Sequence, residues 1–246
     1  MTEVSARPGH DWPVGGDEVR WGLPAAVLCL LGAQLVAVIW FVFAAGLVYG
    51  SEPLPPIDSR PIWTLLLFNL GLWLAYFLGP VVVKRFTDSG PLVDFDLRAG
   101  PIQILAAAAL GVATQLVLLP VLYWVLLRFV SGDPNRTAEA LGDRVNNPAD
   151  GVLFVLAVVV LAPVVEEWFY RGMLLPTLAR RFGTVAGAVG SSAVFALVHQ
   201  EPILLPGLFV LALLLSWLTI RSARIGPAIV AHVAFNATTV VQLLAF

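Results

Sequence analysis

Two adjacent glutamates and an arginine lie within a long apolar stretch of the chain. They are Glu166, Glu167 and Arg171, in the segment that reads APVVEEWFYRG. On insertion scales, a charged side chain at the centre of a membrane helix costs about 2.5–3.5 kcal/mol, and such residues usually mark a functional site. A carboxylate in these surroundings can act as a general base towards water. The segment therefore predicts a site for hydrolysis or proton transfer, with the three side chains paired, hydrated or neutral.

The spacing of the three residues assigns them different tasks. Glu167 and Arg171 are four residues apart with the acid on the N-terminal side, so they share one helix face and can form an ion pair. Glu166 points about 100° away from Glu167, which predicts that it faces a cavity and carries the chemistry. Pro163 removes the backbone hydrogen bond to Val159 and should kink the helix. The alternative is structural: the trio ties two helices together or marks where a short span meets water.

Two histidines follow in later apolar stretches, each with a partner one helical turn away. His199 comes four residues after Phe195, which can wall its pocket, and His232 comes four residues before Asn236. A single histidine in a membrane is about as often a packing residue as a catalytic one. Together with two intramembrane glutamates, the pair indicates a shared site.

Membrane helices are the elements that must position these residues. Hydrophobic residues make up 59% of the 246-residue chain and charged residues 12%, and the mean hydropathy is +0.88. Soluble domains are about 45–50% apolar and about 25% charged. The apolar runs are too long and too unalternating for barrel strands, so helices must satisfy the backbone in lipid. We predict an all-α, polytopic transmembrane helix bundle that forms one structural domain.

Apolar stretches long enough to cross about 30 Å of hydrocarbon predict seven transmembrane helices. They fall near residues 23–49, 62–83, 101–130, 151–178, 184–200, 202–220 and 226–245. We therefore divide the chain into residues 1–150, an N-terminal tail plus three flanking transmembrane helices, and residues 151–246, a core of four helices with the catalytic residues. His199 and His232 would lie one to two turns apart in depth, which predicts a tilted or re-entrant fifth helix.

The basic residues are distributed unevenly about these spans. One side collects Arg7, Arg20, Lys84, Arg85, Arg98, Arg180, Arg181, Arg221 and Arg224, and the other collects Arg60, Arg128, Arg136 and Arg144. Cytoplasmic loops carry an excess of Lys and Arg. We predict a multi-pass protein of the plasma membrane with a cytoplasmic N-terminus and the C-terminus outside.

Charge and cysteine content argue against a nucleic-acid-binding protein and against a fold held by disulfides or a cysteine metal site. The net charge is −2 without a basic stripe, so we expect no nucleic-acid partner. The single cysteine, Cys29, lies in an apolar run and can build neither an internal disulfide nor a cysteine metal cage.

Three motifs in a fixed order resemble the signature of the CPBP family, the CaaX-protease and bacteriocin-processing group also called Abi. They are Glu166-Glu167-x-x-x-Arg171, Phe195-x-x-x-His199 and His232-x-x-x-Asn236. The resemblance covers roughly residues 150–246, and Tyr170 stands where Phe is common in the family. It implies an intramembrane endopeptidase, in a family whose members include the enzymes that remove the last three residues of prenylated CaaX proteins.

The resemblance also implies a role for each motif residue. Glu166 and His199 would activate the attacking water, and His232 and Asn236 would stabilise the tetrahedral oxyanion. Carboxylate, imidazole and amide groups suit these tasks in a cavity of low dielectric constant. The supporting residues would be Glu167, Arg171 and Phe195.

Family members are often described as metalloproteases, and two histidines with a carboxylate satisfy the three-ligand pattern of catalytic zinc. The candidate ligands are Glu166, His199 and His232. Against zinc, Asn236 is a poor ligand, and a glutamate bound to a metal cannot serve freely as the base. The sequence leaves both schemes open and slightly favours the metal-free one.

Two other functions fit parts of the pattern. An ion-coupled carrier also uses intramembrane acids and histidines, although no inverted repeat is visible in the sequence. A non-catalytic scaffold or immunity-type protein of the same family would keep the residues for structure. A protease would have the lipid bilayer and a peptide or membrane-protein substrate as partners. The composition, rich in Ala, Val, Leu, Gly and Arg, suggests a GC-rich bacterial source and so favours a leader peptide or membrane protein over a prenylated substrate.

Overall fold

The computed structural model describes residues 22–56, 59–87 and 99–245 of the chain. The N-terminal tail lies outside these ranges, and so do Arg7, Arg20 and Arg98, on which the predicted orientation partly rests. Within the described ranges the secondary structure is helical and contains no strand. The predicted all-α helix bundle is confirmed.

We number eight helices in the described part of the chain. They are α1 (Leu23–Tyr49), α2 (Trp63–Thr87), α3 (Pro101–Leu126), α4 (Arg136–Gly142), α5 (Pro148–Phe182), α6 (Thr184–Val198), α7 (Leu205–Ser222) and α8 (Gly226–Ala245). Glycine separates α5 from α6, because Gly183 has φ +89° and so ends α5 in a conformation that other residues rarely adopt.

Six of the described helices are long and apolar enough to cross a membrane, where the sequence predicted seven. The difference is α6, predicted as a span near residues 184–200. It has 15 residues, which at about 1.5 Å per residue gives roughly 22 Å. A helix of this length ends short of the far side of a hydrocarbon layer of about 30 Å. The tilt or re-entrant path expected for this helix stays a prediction.

Small residues set the positions of the helices that carry the motifs. α3 packs along α8 where Gly111 meets Ala231, and a Cβ at Gly111 would overlap the Ala231 carbonyl oxygen. α6 packs against the end of α5, where a Cβ at Gly187 would lie 2.5 Å from the Ala179 nitrogen. Glycine at such points lets two helix backbones approach closely.

The acidic motif lies between two π-helical segments of α5. Val155–Leu161 and Tyr170–Leu174 are π-helical, and they flank the α-helical Ala162–Phe169. The Ala162 N–H donates to the Ala157 carbonyl, five residues back. In this π-helical register, the residue at position 163 would donate to the Val158 carbonyl, and Pro163 has no N–H to donate. The carbonyl that loses its backbone hydrogen bond is therefore that of Val158, and the prediction from the sequence that it is Val159 was wrong.

Arg144 anchors the loop before α5 to the start of α2. Its guanidinium donates to the carbonyl oxygens of Arg60 and Pro61, each at 2.8 Å, and to Thr64 Oγ1 at 3.0 Å. Burial, and after it the charge of Arg60, lowers the pKa of Arg144. Further along, the Trp168 indole donates to the Phe77 carbonyl at 3.0 Å. These contacts hold α2 and α5 side by side and parallel.

Candidate active site

A cavity of about 400 Å³, which we call the first cavity, brings the predicted catalytic residues together. Its lining includes Glu166 from α5, His199 after α6, and His232 and Asn236 from α8. Phe195 also lines it and lies between the two histidines, with ring centroids 4.8 Å from His199 and 5.9 Å from His232. Three motifs that are far apart in the sequence thus meet at one site.

Glu167 and Arg171 form a fully buried ion pair behind the first cavity. Arg171 Nη1 donates to Glu167 Oε1 at 2.9 Å, and both side chains have 0% exposure. Arg171 Nη2 also donates to the Ala212 carbonyl in α7 at 2.9 Å. The pair that spacing predicted within one helix therefore also ties α5 to α7.

The buried pair also orients His232, a contact that the sequence did not reveal. His232 Nδ1 lies 2.9 Å from Glu167 Oε1, the oxygen that Arg171 also contacts. Because a carboxylate paired with arginine accepts hydrogen bonds, Nδ1 is the donor. The arrangement fixes the plane of the imidazole and leaves Nε2 on the other side of the ring, towards Glu166.

Glu166 faces the first cavity, as its angular position predicted. Its side chain is 17% exposed, and Oε2 lies 3.9 Å from His232 Nε2. This separation is too long for a direct hydrogen bond. The carboxylate and the imidazole edge therefore both present polar atoms to whatever occupies the cavity.

His199 is oriented by the backbone of its own helix. Its Nδ1 lies 2.7 Å from the carbonyl oxygen of Phe195. A carbonyl can only accept, so Nδ1 carries the hydrogen and a neutral ring has its lone pair on Nε2. His199 is thus prepared to accept a proton or a hydrogen bond at Nε2.

Asn236 has a structural contact in addition to its place in the lining. Its Nδ2 donates to the Val158 carbonyl at 2.7 Å. This is the carbonyl that the π register and Pro163 leave without a backbone partner. One amide hydrogen of Asn236 therefore stabilises α5, and the other remains for the cavity.

Helices α1 and α2, which the sequence treated as flanking, also line the first cavity. Gln34 Nε2 donates to the Tyr76 hydroxyl at 2.7 Å, and this hydroxyl lies 2.7 Å from that of Tyr170. The only feature of the sequence that could have placed Gln34 and Tyr76 at the site is that each is an isolated polar residue in an apolar helix. Sequence spacing does not indicate which distant helices meet.

The described residues do not form a metal centre as they are placed. No group of three or more His, Cys, Asp or Glu side chains in the described part of the chain could hold a metal ion. His199 and His232 both use Nδ1 in hydrogen bonds, so Nε2 would be the only ligand atom on each.

A second cavity of about 650 Å³ lies next to the first. Leu208 and Phe235 line both cavities. The other residues that line the second cavity include Gln115, Tyr123, Trp124, Asp133, Thr137 and Gln242. Among the described residues of this lining, Asp133 alone carries a charge.

The fold and the first cavity together define a multi-pass membrane protein with a buried acid and histidine site. Residues 148–238 match the family model described as type II CAAX prenyl endopeptidase Rce1-like. The matched region runs from the start of α5 into α8 and contains all three motifs. It confirms the resemblance to the CPBP family of membrane proteases, and at the level of the family it supports a CAAX-type intramembrane protease. No curated protein and no solved structure matches the chain.

Proposed function

We propose that this protein is an intramembrane endopeptidase that hydrolyses peptide bonds of membrane-associated or leader-peptide substrates. The observation that carries the proposal is the division of tasks between two adjacent acids. Glu167 is buried against Arg171 and His232, whereas Glu166 opens into the first cavity beside the edges of two histidines. A structural acid pair would need no such cavity.

In the proposed reaction, Glu166 removes a proton from water while His199 Nε2 helps to orient it. The water oxygen attacks the peptide carbonyl, and the carbonyl oxygen becomes an oxyanion. His232 Nε2, when it carries a hydrogen, and the second amide hydrogen of Asn236 donate to that oxyanion. When the C–N bond breaks, Glu166 returns the proton to the leaving amine.

The buried pair acts on this reaction through His232. The Glu167 carboxylate accepts from Nδ1 and so fixes the orientation of the ring, and Arg171 holds the carboxylate in place. Positioning by residues behind a site reduces the reorganisation needed in the transition state. We carry forward the metal-free scheme that the sequence slightly favours, and a chelator tests the zinc alternative.

We also propose that the protein spans the plasma membrane with its N-terminus in the cytoplasm. Because α2 and α5 run parallel, Arg85 near the end of α2 and the Arg180–Arg181 pair near the end of α5 come to the same side. This clustering agrees with the preference of basic residues for the cytoplasmic side.

A cleavage assay on the purified protein in detergent tests the function. The panel contains membrane-anchored leader peptides, transmembrane peptides and prenylated peptides, each assayed with wild type, Glu166→Gln and chelator-treated wild type. We expect wild type to cleave at least one peptide, and Glu166→Gln to lower kcat by about 10²–10⁴-fold, the usual contribution of a general base.

The other outcomes discriminate between the alternatives. Equal cleavage by wild type and Glu166→Gln would remove Glu166 as the base, and loss of cleavage on chelation would favour the zinc scheme. If wild type cleaves no peptide, the protease proposal fails. Ion flux in proteoliposomes would then identify a carrier, and a phenotype that survives Glu166→Gln would identify a scaffold or immunity-type protein.

A further inference from the structure

We propose that the hydroxyl pair of Tyr76 and Tyr170 donates a hydrogen bond to the oxyanion formed in the first cavity. This inference rests on the proposed function and adds two residues to it. Tyr170 lies within the first motif, but at a position to which no role was assigned. Tyr76 lies in α2, outside the region that matches the family model.

One of the two hydroxyl hydrogens of Tyr76 and Tyr170 is left over after the hydroxyls have hydrogen-bonded to each other. Their oxygens are 2.7 Å apart, so one hydroxyl donates to the other. Gln34 Nε2 donates to the Tyr76 oxygen at 2.7 Å and takes up none of the hydroxyl hydrogens. The pair owns two hydrogens and its contact uses one, so one O–H remains to be donated.

The spare hydrogen belongs to groups that face the catalytic carboxylate. Tyr170 follows Glu166 by four residues, and its N–H donates to the Glu166 carbonyl, so the two side chains share a helix face. Tyr76, Tyr170, Gln34 and Glu166 all line the first cavity. A tetrahedral intermediate formed beside Glu166 would therefore meet a hydroxyl donor.

Packing holds both rings in place before any substrate arrives. Tyr76 stacks on Phe169 with ring centroids 4.5 Å apart and planes 15° apart. Tyr170 meets Phe195 edge to face, with centroids 5.1 Å apart. Both tyrosines are almost fully buried, at 2% and 1% exposure. Fixed donors in a site that excludes water stabilise developing negative charge most effectively.

The chemistry remains balanced because the tyrosines give up no proton. Glu166 takes the proton of the attacking water and later delivers it to the leaving amine. The hydroxyl pair only donates a hydrogen bond, which strengthens as the carbonyl oxygen gains charge. The donation supplements Asn236, one of whose two amide hydrogens is held by Val158.

The experiment compares Tyr76→Phe, Tyr170→Phe and the double variant on the peptide that wild type cleaves best. Each single variant destroys the contact between the hydroxyls but keeps one hydroxyl hydrogen for the cavity, whereas the double variant keeps none. We expect the double variant to lose about 10²–10³-fold in kcat, the range for one oxyanion donor. Each single variant should lose far less, and KM should change little because the interaction forms in the transition state.

Tyr49→Phe is the matched control. The Tyr49 hydroxyl is buried at the end of α1 without a hydrogen-bond partner among the described residues, and it does not line the first cavity. This variant should retain wild-type kcat. The unfolding midpoint in detergent is measured for every variant, because a purely structural contact would be lost equally in the single and double variants.

Three results would overturn the inference. The first is a double variant with wild-type kcat in an enzyme that Glu166→Gln inactivates. The second is a double variant no slower than the single variants, with matching falls in unfolding midpoint. The third is a wild type that cleaves no peptide of the panel, which removes the proposed function and this inference with it, whereas the first two remove the inference alone.

Discussion

The first and second cavities differ in the residues that lie behind their walls as well as in size. The second is the larger, at about 650 Å³ against about 400 Å³. Behind the first lies the buried pair of Glu167 and Arg171, which orients His232 towards Glu166. In the wall of the second, polar side chains bond to one another, as Gln115 does with Gln242 at 3.2 Å, or to residues outside the lining, as Tyr123 does with the Ile203 carbonyl at 3.0 Å. The first cavity therefore differs from the second in having a buried ion pair that orients His232, one of its proposed catalytic residues.

The two cavities share a wall, so their difference can be tested by changing one side at a time. Leu208 and Phe235 separate them. If only the first cavity is catalytic, substitutions behind it should have large effects, and substitutions confined to the second should have small ones.

The largest effect on stability is expected for Glu167→Gln. The change leaves the Arg171 cation fully buried without a counter-charge, and breaking a buried ion pair in this way destabilises proteins by about 3–5 kcal/mol. Chemical unfolding of the detergent-solubilised protein measures it. Glu139→Gln in α4 is the control, since Glu139 is exposed. Equal stability of the two variants would mean that the buried pair does not support the first cavity.

An intermediate effect is expected for Gly111→Ala. The added Cβ would overlap the Ala231 carbonyl oxygen and push α8 away, which carries His232 and Phe235. Overpacking of this kind costs about 1–3 kcal/mol, and kcat should fall because His232 moves. Unfolding and cleavage are both measured. Gly46→Ala, with no atom within 4 Å of its new Cβ, should leave both values near wild type. An unchanged Gly111→Ala would show that α8 tolerates displacement.

The smallest effect is expected for Gln242→Leu, a change in the second cavity. It removes the hydrogen bond to Gln115, which is exposed to solvent or lipid. Such substitutions usually change the free energy of unfolding by less than about 0.5 kcal/mol. Because the change lies outside the first cavity, kcat should stay close to that of wild type. Steady-state cleavage measures this. A large fall in kcat would mean that the two cavities act as one site.

Local spacing predicted the parts of the site that lie within single helices. The Glu167–Arg171 pair and the exposure of Glu166 to a cavity both follow from the helical repeat. The contact of His232 with Glu167 joins residues 65 positions apart, and the Tyr76–Tyr170 contact joins residues 94 positions apart. Such contacts depend on how helices pack, which a single sequence does not state.

The fold was predictable in class but not in detail. Long apolar runs made a helical bundle the only solution in lipid. Residues 184–200 were predicted to span the membrane because they form one apolar stretch, but the helix ends at Val198 and has only 15 residues. The carbonyl left without a backbone donor by Pro163 was predicted wrongly, because in a π-helix each N–H donates five residues back and not four. Nothing in the sequence before Pro163 indicates that this segment is π-helical.

The roles of the two adjacent glutamates can be compared directly by measuring kcat and the unfolding midpoint of Glu166→Gln and Glu167→Gln side by side. The two changes are chemically identical and one residue apart. We expect Glu166→Gln to lose cleavage and keep a near-wild-type midpoint, and Glu167→Gln to show the large fall in stability. A stable, active Glu166→Gln would contradict this expectation, because the carboxylate that faces the first cavity would then not be the base.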